Sequence, residues 1–110
     1  MTLALDAGDV DSFVAQFTGD ARFRFGNTEP VYGRDAIRAA VAGALGPIVR
    51  MRHSVVDVWH ERDAVIAEFS IDFTRPDGDV VTLPCASIAR YDGGLVRDYR
   101  INMDIGPVTA

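Results

Sequence analysis

Few side chains in this sequence are suited to proton transfer, and the first of them is His53. It is one of two histidines and stands early in a predicted strand, with Asp57 four residues later. Because alternate residues of a strand lie on the same face, His53 and Asp57 are predicted to share a face with Trp59. A histidine paired with a carboxylate is suited to general acid–base catalysis near neutral pH. The alternative is that His53 is a rim or surface histidine.

The other side chains with reactive groups also have structural, non-catalytic interpretations. The parity of Asp104 in the last predicted strand matches that of Asp98 and Arg100. That parity places Asp104 on the outer face unless a bulge re-aims it. Cys85 has no basic neighbour in sequence to lower its pKa, so it is predicted to be a small core residue. Ser87 has no adjacent base and is predicted to be a buried hydroxyl.

The composition excludes several classes of chemistry. The chain contains no lysine, which removes Schiff-base chemistry and any Walker-type phosphate loop. Its single cysteine, Cys85, allows no intrachain disulfide and no cysteine-based zinc site. No G-x-S-x-G, H-E-x-x-H or G-x-G-x-x-G motif occurs. We therefore expect no metal and no cofactor.

The net charge and the hydropathy of the chain limit the kinds of partner that we expect it to bind. The net charge is −5 with scattered acids, whereas nucleic-acid binding requires a clustered basic face. No apolar run approaches the length of a bilayer span, and the N-terminus lacks a basic region followed by an apolar block. We expect a cytoplasmic protein that binds neither nucleic acid nor membrane. At 110 residues, one domain over 1–110 is expected.

Hydrophobic periodicity and turn residues divide the chain into helices followed by strands. Apolar residues at three- and four-residue spacing predict a first helix over Leu5–Phe17, and alternation predicts a short strand over Ala21–Phe25. A second helix is predicted from Arg34 to about Leu45, ended by Gly46-Pro47. The remaining predicted strands are about Arg50–His60, Ala64–Thr74, Val80–Tyr91 and Leu95–Ile105.

This order predicts an α+β fold, in which a curved antiparallel sheet wraps around two or three N-terminal helices as a cone. A cone open at one end is a natural pocket for a small molecule. In the last strand, alternation places one set of residues on the inner face: Leu95, Tyr99, Ile101, Met103 and Ile105.

Three segments resemble a known superfamily. They are Leu5-Asp6-Ala7-Gly8-Asp9, Tyr32-Gly33-Arg34-Asp35-Ala36-Ile37 and the closing strand after Gly93-Gly94. Their order and spacing resemble the SnoaL-like, nuclear transport factor 2-like proteins, which include ketosteroid isomerase, limonene epoxide hydrolase and polyketide cyclases. The resemblance implies an α+β cone with a ligand pocket and a homodimer formed through the outer face of the sheet.

The resemblance does not carry over the catalytic residues of the two enzymes. The position of the isomerase's catalytic base corresponds to Phe25, and that of its second aspartate to Ser87. The positions of the epoxide hydrolase's carboxylate–arginine–carboxylate set correspond to Phe69, Ile71 and Ile101. Neither activity is expected. SnoaL-type cyclases carry a carboxylate on the closing strand, and the resemblance implies that Asp104 is the candidate for that position.

Strand parity predicts a mainly apolar lining of the cone. The predicted lining is Phe23, Phe25, Phe69, Ile71, Phe73, Leu83, Cys85, Ser87, Tyr99, Ile101 and Met103. We expect seven of these to contact a small hydrophobic ligand: Phe25, Phe69, Ile71, Ser87, Tyr99, Ile101 and Met103. Tyr99 is the strongest candidate for a hydrogen bond to that ligand, because a phenol combines an apolar body with a polar tip.

Two functions remain open from the sequence. The first is a cofactor-free cyclase, isomerase or hydratase that acts on a hydrophobic or polyketide-like substrate through His53, Asp57 or Asp104. The second is a non-catalytic module that binds a hydrophobic ligand or serves as a dimeric interaction module. A buried histidine or carboxylate inside the cone favours the enzyme, and an all-apolar lining favours the binding module.

Overall fold

The computed structural model describes residues 2–109 as one six-stranded sheet with four helices. The elements are α1 (Thr2–Asp6), α2 (Val10–Val14), β1 (Phe17–Phe25), β2 (Val31–Tyr32), α3 (Arg34–Leu45), β3 (Arg50–Glu61), β4 (Ala64–Thr74), β5 (Val80–Asp92), β6 (Leu95–Asn102) and α4 (Gly106–Thr109). The order of strands in the sheet is β2-β1-β6-β5-β4-β3. Strands β1 and β6 are parallel, and every other neighbouring pair is antiparallel.

The predicted α+β cone is confirmed. The sheet is curved, and its concave face packs against helices and buries the apolar side chains of alternating strand residues, as in Ala67, Phe69, Ile71 and Phe73 of β4. The largest side chains that are entirely buried are Phe13, Val14, Phe17, Ile37 and Val96. These residues come from α2, β1, α3 and β6, so the core lies between the helices and the sheet.

The first predicted helix is wrong as a single element. The backbone of Gly8 has φ of +72°, a left-handed conformation that interrupts a helix, and α1 therefore ends at Asp6. Asp9 then caps α2, since its side chain accepts a hydrogen bond of 3.0 Å from the backbone N–H of Ser12. The hydrogen bonds from Ser12 lower the pKa of Asp9. The chain enters β1 at Phe17, so this strand is longer than predicted.

The second predicted helix is confirmed as α3 over Arg34–Leu45. Gly33 precedes it with φ of +87°, and Ile37 and Val41 are its buried residues. Arg34 connects α3 to β1, because its guanidinium donates hydrogen bonds of 2.9 and 2.6 Å to the carbonyl oxygen of Phe17.

A bulge in β6 corrects part of the predicted face assignment. Arg90 pairs with Asp98, but Tyr91 pairs with Val96, so Arg97 is the extra residue. Val96 therefore points into the core and is 0% exposed, while Leu95 lies outside and is 37% exposed. The predicted inward position of Leu95 is wrong. The strand also ends at Asn102, before α4.

The convex face carries opposite charges on its two halves. Cross-strand pairing and alternation place four arginines on the half formed by β1, β6 and β5: Arg22, Arg24, Arg90 and Arg100. The half formed by β4 and β3 carries Asp57, Glu61 and Glu68, together with the cross-strand pair Arg52 and Asp72, whose charges cancel. An apolar row of Ile88, Ile66 and Trp59 crosses β5, β4 and β3. Asp98 lies within the arginine half, 3.6 Å from Arg22 and 3.3 Å from Arg100.

Two features are absent from the part of the chain that the structure describes. None of the helices within residues 2–109 has the length and apolar composition to cross a bilayer. In the same range, no three histidine, cysteine or acidic side chains are grouped so that they could hold a metal ion.

Candidate functional site

A small apolar cavity lies between the concave face of the sheet and the helices. Its volume is about 50 Å³. A buried water needs roughly 10–15 Å³ when volume is measured in this way, so the cavity has room for a few waters. Pockets for drug-sized ligands are on the order of 300–1,000 Å³. The side chains of the cone therefore fill most of it in this conformation.

Most of the predicted lining residues contact the cavity. They are Phe23, Phe25, Phe69, Ile71, Phe73, Cys85, Tyr99, Ile101 and Met103. Ser87 is buried on the same face and Leu83 packs at the edge of the core, but neither contacts the cavity. Contact of any of these residues with a ligand stays a prediction.

The prediction missed the part of the lining that comes from the helices and from the connection after α3. These residues are Leu5, Phe13, Val41, Ala44, Leu45 and Ile48. A signal was present for α3, because Val41 and Leu45 follow Ile37 at four-residue spacing on its apolar stripe. Met51 and His53 also line the cavity, from the start of β3.

His53 is held in place by Asp6. Its Nδ1 lies 2.6 Å from Oδ1 of Asp6, and its backbone N–H donates to both carboxylate oxygens at 3.0 and 3.2 Å. The side chain of His53 is 8% exposed, and that of Asp6 is 22% exposed. Strand β3 is at the edge of the sheet, so its outward N–H groups have no neighbouring strand to accept their hydrogen bonds. At His53, the carboxylate of Asp6 accepts this hydrogen bond instead.

The contact with Asp6 fixes the orientation of the imidazole and determines which ring nitrogen can accept a proton. A carboxylate accepts hydrogen bonds, so Nδ1 carries the donated proton and Nε2 is the basic nitrogen of the neutral ring. The ring packs edge-on against Phe69, with centroids 5.3 Å apart and an interplanar angle of 86°. This arrangement presents an oriented imidazole to an apolar cavity, where it can accept a proton from a bound molecule.

Asp57 does not lie beside His53, and the predicted shared face is wrong. Val55 pairs with Phe69, but Asp57 pairs with Glu68, so Val56 is the extra residue of a bulge. Every residue after the bulge changes face, which turns Asp57 and Trp59 to the convex side. The carboxylate of Asp57 is exposed and accepts a hydrogen bond of 2.8 Å from the backbone N–H of Val58.

Asp104 lies outside the cavity. It is exposed and follows the end of β6, where its Oδ1 accepts a hydrogen bond of 2.9 Å from the backbone N–H of Gly106. This contact stabilises the start of α4. The parity argument for the outer face is consistent with this position, which is in a shallow depression with Asn27 and Asn102.

Three polar groups lie at the inner side of β5 and β6. Tyr99 is 4% exposed, and its burial raises the pKa of the phenol to about 12, although a hydrogen bond with Ser87 acts to lower it. Burial likewise raises the pKa of the Cys85 thiol to about 11. Both groups are therefore neutral near pH 7. Tyr99 can donate an O–H, whereas the thiol of Cys85 is a poor nucleophile.

The curved sheet, the helices on its concave face and the cavity between them define an α+β cone protein of the nuclear transport factor 2-like class. The SnoaL-like domain family matches residues 1–99. The chain belongs to this SnoaL-like family. No curated protein matches the chain at a significant level.

Solved structures share this fold. An NTF2-like protein of unknown function from Burkholderia pseudomallei has a TM-score of 0.85 at 16% identity, over 96% of this chain and 86% of that one. A protein from Jannaschia, named for its likeness to SnoaL polyketide cyclases, has a TM-score of 0.82 at 21% identity, over 98% and 85%. A Catenulispora acidiphila protein with a ketosteroid isomerase-like fold, in complex with trimethylamine, has a TM-score of 0.80 at 15% identity, over 89% and 77%. At these identities the likeness establishes the fold alone.

Proposed function

We propose that the chain binds a small hydrophobic molecule in the cone and catalyses a proton transfer with His53 as the base. The observation that carries this proposal is the Asp6–His53 contact of 2.6 Å at the wall of an apolar cavity. A cofactor-free cyclase, isomerase or hydratase needs one positioned base and one donor to the developing enolate oxygen. This chain has a candidate for each role.

In the proposed mechanism, Nε2 of His53 accepts a proton from a carbon next to a carbonyl group. The carboxylate of Asp6 holds the other nitrogen and stabilises the imidazolium that forms, a role known from histidine–aspartate pairs in hydrolases. The neutral phenol of Tyr99 donates to the enolate oxygen. The aromatic and aliphatic walls, among them Phe25, Phe69 and Ile101, exclude water and so strengthen both interactions.

The family and the names of similar structures support a polyketide-like substrate. The Jannaschia protein is named for its likeness to polyketide cyclases. In a polyketide-like molecule, a carbon that stands between two carbonyl groups has an acidic proton. The chemistry proposed for His53 fits such a carbon. Of the other predicted catalytic residues, Asp57 lies on the convex face and Asp104 is exposed outside the cavity, so neither has a part in this mechanism.

A non-catalytic binding module is the second candidate. The cavity of about 50 Å³ favours it, because a site this small requires rearrangement before a ring-sized substrate can bind. The lining also contains few polar groups, as the binding module requires.

We also propose that two copies associate through their convex faces. The apolar row of Ile88, Ile66 and Trp59 begins on β5 and runs across the acidic half, with the arginine half on its other side, and Trp59 is 48% exposed. A two-fold axis that runs along β5 would place β1 over β3 and β6 over β4 of the second copy. Arginines would then meet carboxylates on both sides of the axis.

Deuterium exchange at a ketone tests the proposed catalysis. We expect the protein to accelerate exchange of the α-protons of cyclohexanone in D₂O, followed by NMR. His53→Gln should lower the protein-dependent rate by about 10²–10⁴-fold, because it removes the base. His60→Gln, which changes the exposed histidine, should leave the rate unchanged. Equal rates for wild type and His53→Gln would refute the role of His53, and exchange at the buffer rate would favour the binding module.

A further inference from the structure

A second space adjoins the interior cavity. It is a cleft of about 340 Å³ between α1 and the segment that joins α3 to β3. Four side chains line both spaces: Leu5, Leu45, Ile48 and Met51. The two spaces are therefore separated by one layer of apolar side chains.

Leu5 is the residue that the first helix contributes to this layer. It belongs to α1, a helix of only five residues that is followed by the left-handed Gly8. Short helices gain little stability from their own hydrogen bonds and depend on tertiary contacts. Leu5 is 9% exposed, so its side chain fills space between the cavity and the cleft. If this side chain turns outward, the two spaces become continuous.

The cleft also carries one positive charge. Arg50 lies on its lining, and within residues 2–109 it forms no ion pair. Asp6 is the acidic residue of the cleft, and its carboxylate is bound to His53. The guanidinium of Arg50 is therefore available to an external anion. A guanidinium binds carboxylate and sulfonate groups through paired, charge-assisted hydrogen bonds.

We propose that the cavity and the cleft are two chambers of one binding site for an apolar molecule with a single anionic group, divided in this structure by Leu5. The apolar part of the ligand enters the inner chamber beside His53, and the anionic group binds Arg50 in the cleft. The assignment of a reacting carbon to the inner chamber rests on the proposed function. Binding itself does not need proton transfer.

Two fluorescent probes that differ by one sulfonate test this site. 1-Anilinonaphthalene-8-sulfonate is the anionic probe, and N-phenyl-1-naphthylamine is its neutral counterpart. Arg50→Gln should weaken binding of the anionic probe about 10-fold to 100-fold, the range for a charge-assisted hydrogen bond, and leave the neutral probe unchanged. Arg52→Gln is the matched control, because Arg52 lies two residues further along β3 and outside the cleft, and it should change neither Kd.

The dividing role of Leu5 is tested by changing its size in both directions. Leu5→Ala should tighten binding of both probes, and Leu5→Phe should weaken both. Each variant is first checked for cooperative thermal unfolding and native near-UV circular dichroism, since partly unfolded chains also bind these dyes. Unchanged affinities in both folded Leu5 variants would overturn the shared site, and equal effects of Arg50→Gln and Arg52→Gln would overturn the anion position.

The same titrations separate this inference from the proposed catalysis. The catalysis is judged from the loss of deuterium exchange in His53→Gln, and the binding site is judged from the Arg50 and Leu5 variants, whose titrations do not depend on His53 acting as a base. If wild type shows no exchange but the Leu5 and Arg50 variants behave as expected, the catalysis is wrong and the binding site stands. If exchange depends on His53 but the Leu5 and Arg50 variants change nothing, the catalysis stands and the two-chamber site is wrong.

Discussion

The imidazole of His53 and the carboxylate of Asp6 connect strand β3 to helix α1 across 47 residues of sequence. Three polar contacts of 2.6, 3.0 and 3.2 Å join the two residues, and they use both carboxylate oxygens. This contact positions the only histidine that lines the cavity within residues 2–109. It also anchors the short helix that carries Leu5. The carboxylate of Asp6 thus orients the proposed base and also holds the helix whose Leu5 separates the cavity from the cleft.

The first prediction concerns this carboxylate. Asp6→Asn keeps the size of the side chain but removes the charge that both donors of His53 contact. We expect the free energy of unfolding to fall by about 1–3 kcal/mol, measured by urea denaturation. Glu29→Gln changes an exposed carboxylate instead and should shift stability by less than about 0.5 kcal/mol. Equal midpoints for the two variants would contradict the contact.

The second prediction concerns alkaline pH. Folding raises the pKa of Cys85 from 9.0 to about 11 and that of Tyr99 from 10.0 to about 12. The unfolded chain therefore ionises first, and the stabilisation, complete below pH 9, is lost as pH rises through about 11 and 12. Denaturant unfolding between pH 8 and 12 should show this decline. Tyr99→Phe and Cys85→Ala should each make it less steep, and an unchanged slope in both would refute the assignment.

The third prediction tests the bulge at Arg97. Val96 is buried and its neighbour Leu95 is 37% exposed, the reverse of simple alternation. Val96→Ala should lower the free energy of unfolding by about 1–3 kcal/mol, because it removes buried methyl groups. Leu95→Ala should cost less than about 1 kcal/mol. A larger loss for Leu95→Ala would show that Arg97 is not the extra residue.

The fourth prediction tests the proposed dimer by exchanging charges. Arg24→Glu with Arg100→Glu replaces two of the four arginines by carboxylates, and Glu61→Arg with Glu68→Arg replaces two carboxylates of the other half by arginines. Each double variant should be monomeric, because like charges would meet across the axis. An equimolar mixture should form the heterodimer, observed by native mass spectrometry. A wild type that remains monomeric, or a mixture that fails to pair, would contradict the proposed interface.

The fifth prediction is that two activities of related enzymes are absent. Phe25, Phe69 and Ile101 line the cavity. The resemblance described above matches these residues with ionisable groups of the isomerase and the epoxide hydrolase. A one-residue error in the predicted alignment of the strands would place Glu68 and Asn102 inside the cone, but both residues are exposed. Without base or acid at these positions, we expect background rates with 5-androstene-3,17-dione and limonene oxide. Robust turnover of either substrate would refute this.

The elements with strong end signals could be predicted from the sequence. The bounds of α3 follow from Gly33 before it and Gly46-Pro47 after it, and the inner face of β4 follows from its strict alternation. The bulges at Val56 and Arg97 could not be predicted, because these residues interrupt pairing without interrupting the run of strand-forming residues. Each bulge reversed the predicted faces on one side of it.

The site was only partly predictable for a related reason. His53 stood out by its residue type, but nothing in local spacing connects it with Asp6, because the two meet only after β3 has folded against α1. The predicted partner, Asp57, was the nearest carboxylate of matching parity. Long-range contacts of this kind depend on the packing of whole elements, which periodicity does not encode.

The bulge at Val56 also has a consequence for aggregation. Strand β3 is twelve residues long and lies at the edge of the sheet, with Val55 and Val56 each 60% exposed. An unbroken edge of this kind would be a template for adding strands from other molecules, as in amyloid growth. The bulge breaks the regular row of donors and acceptors, and Asp6 occupies the outward N–H of His53. These two interruptions divide the exposed edge of β3 into shorter segments, and a divided edge is a poorer template for fibril growth.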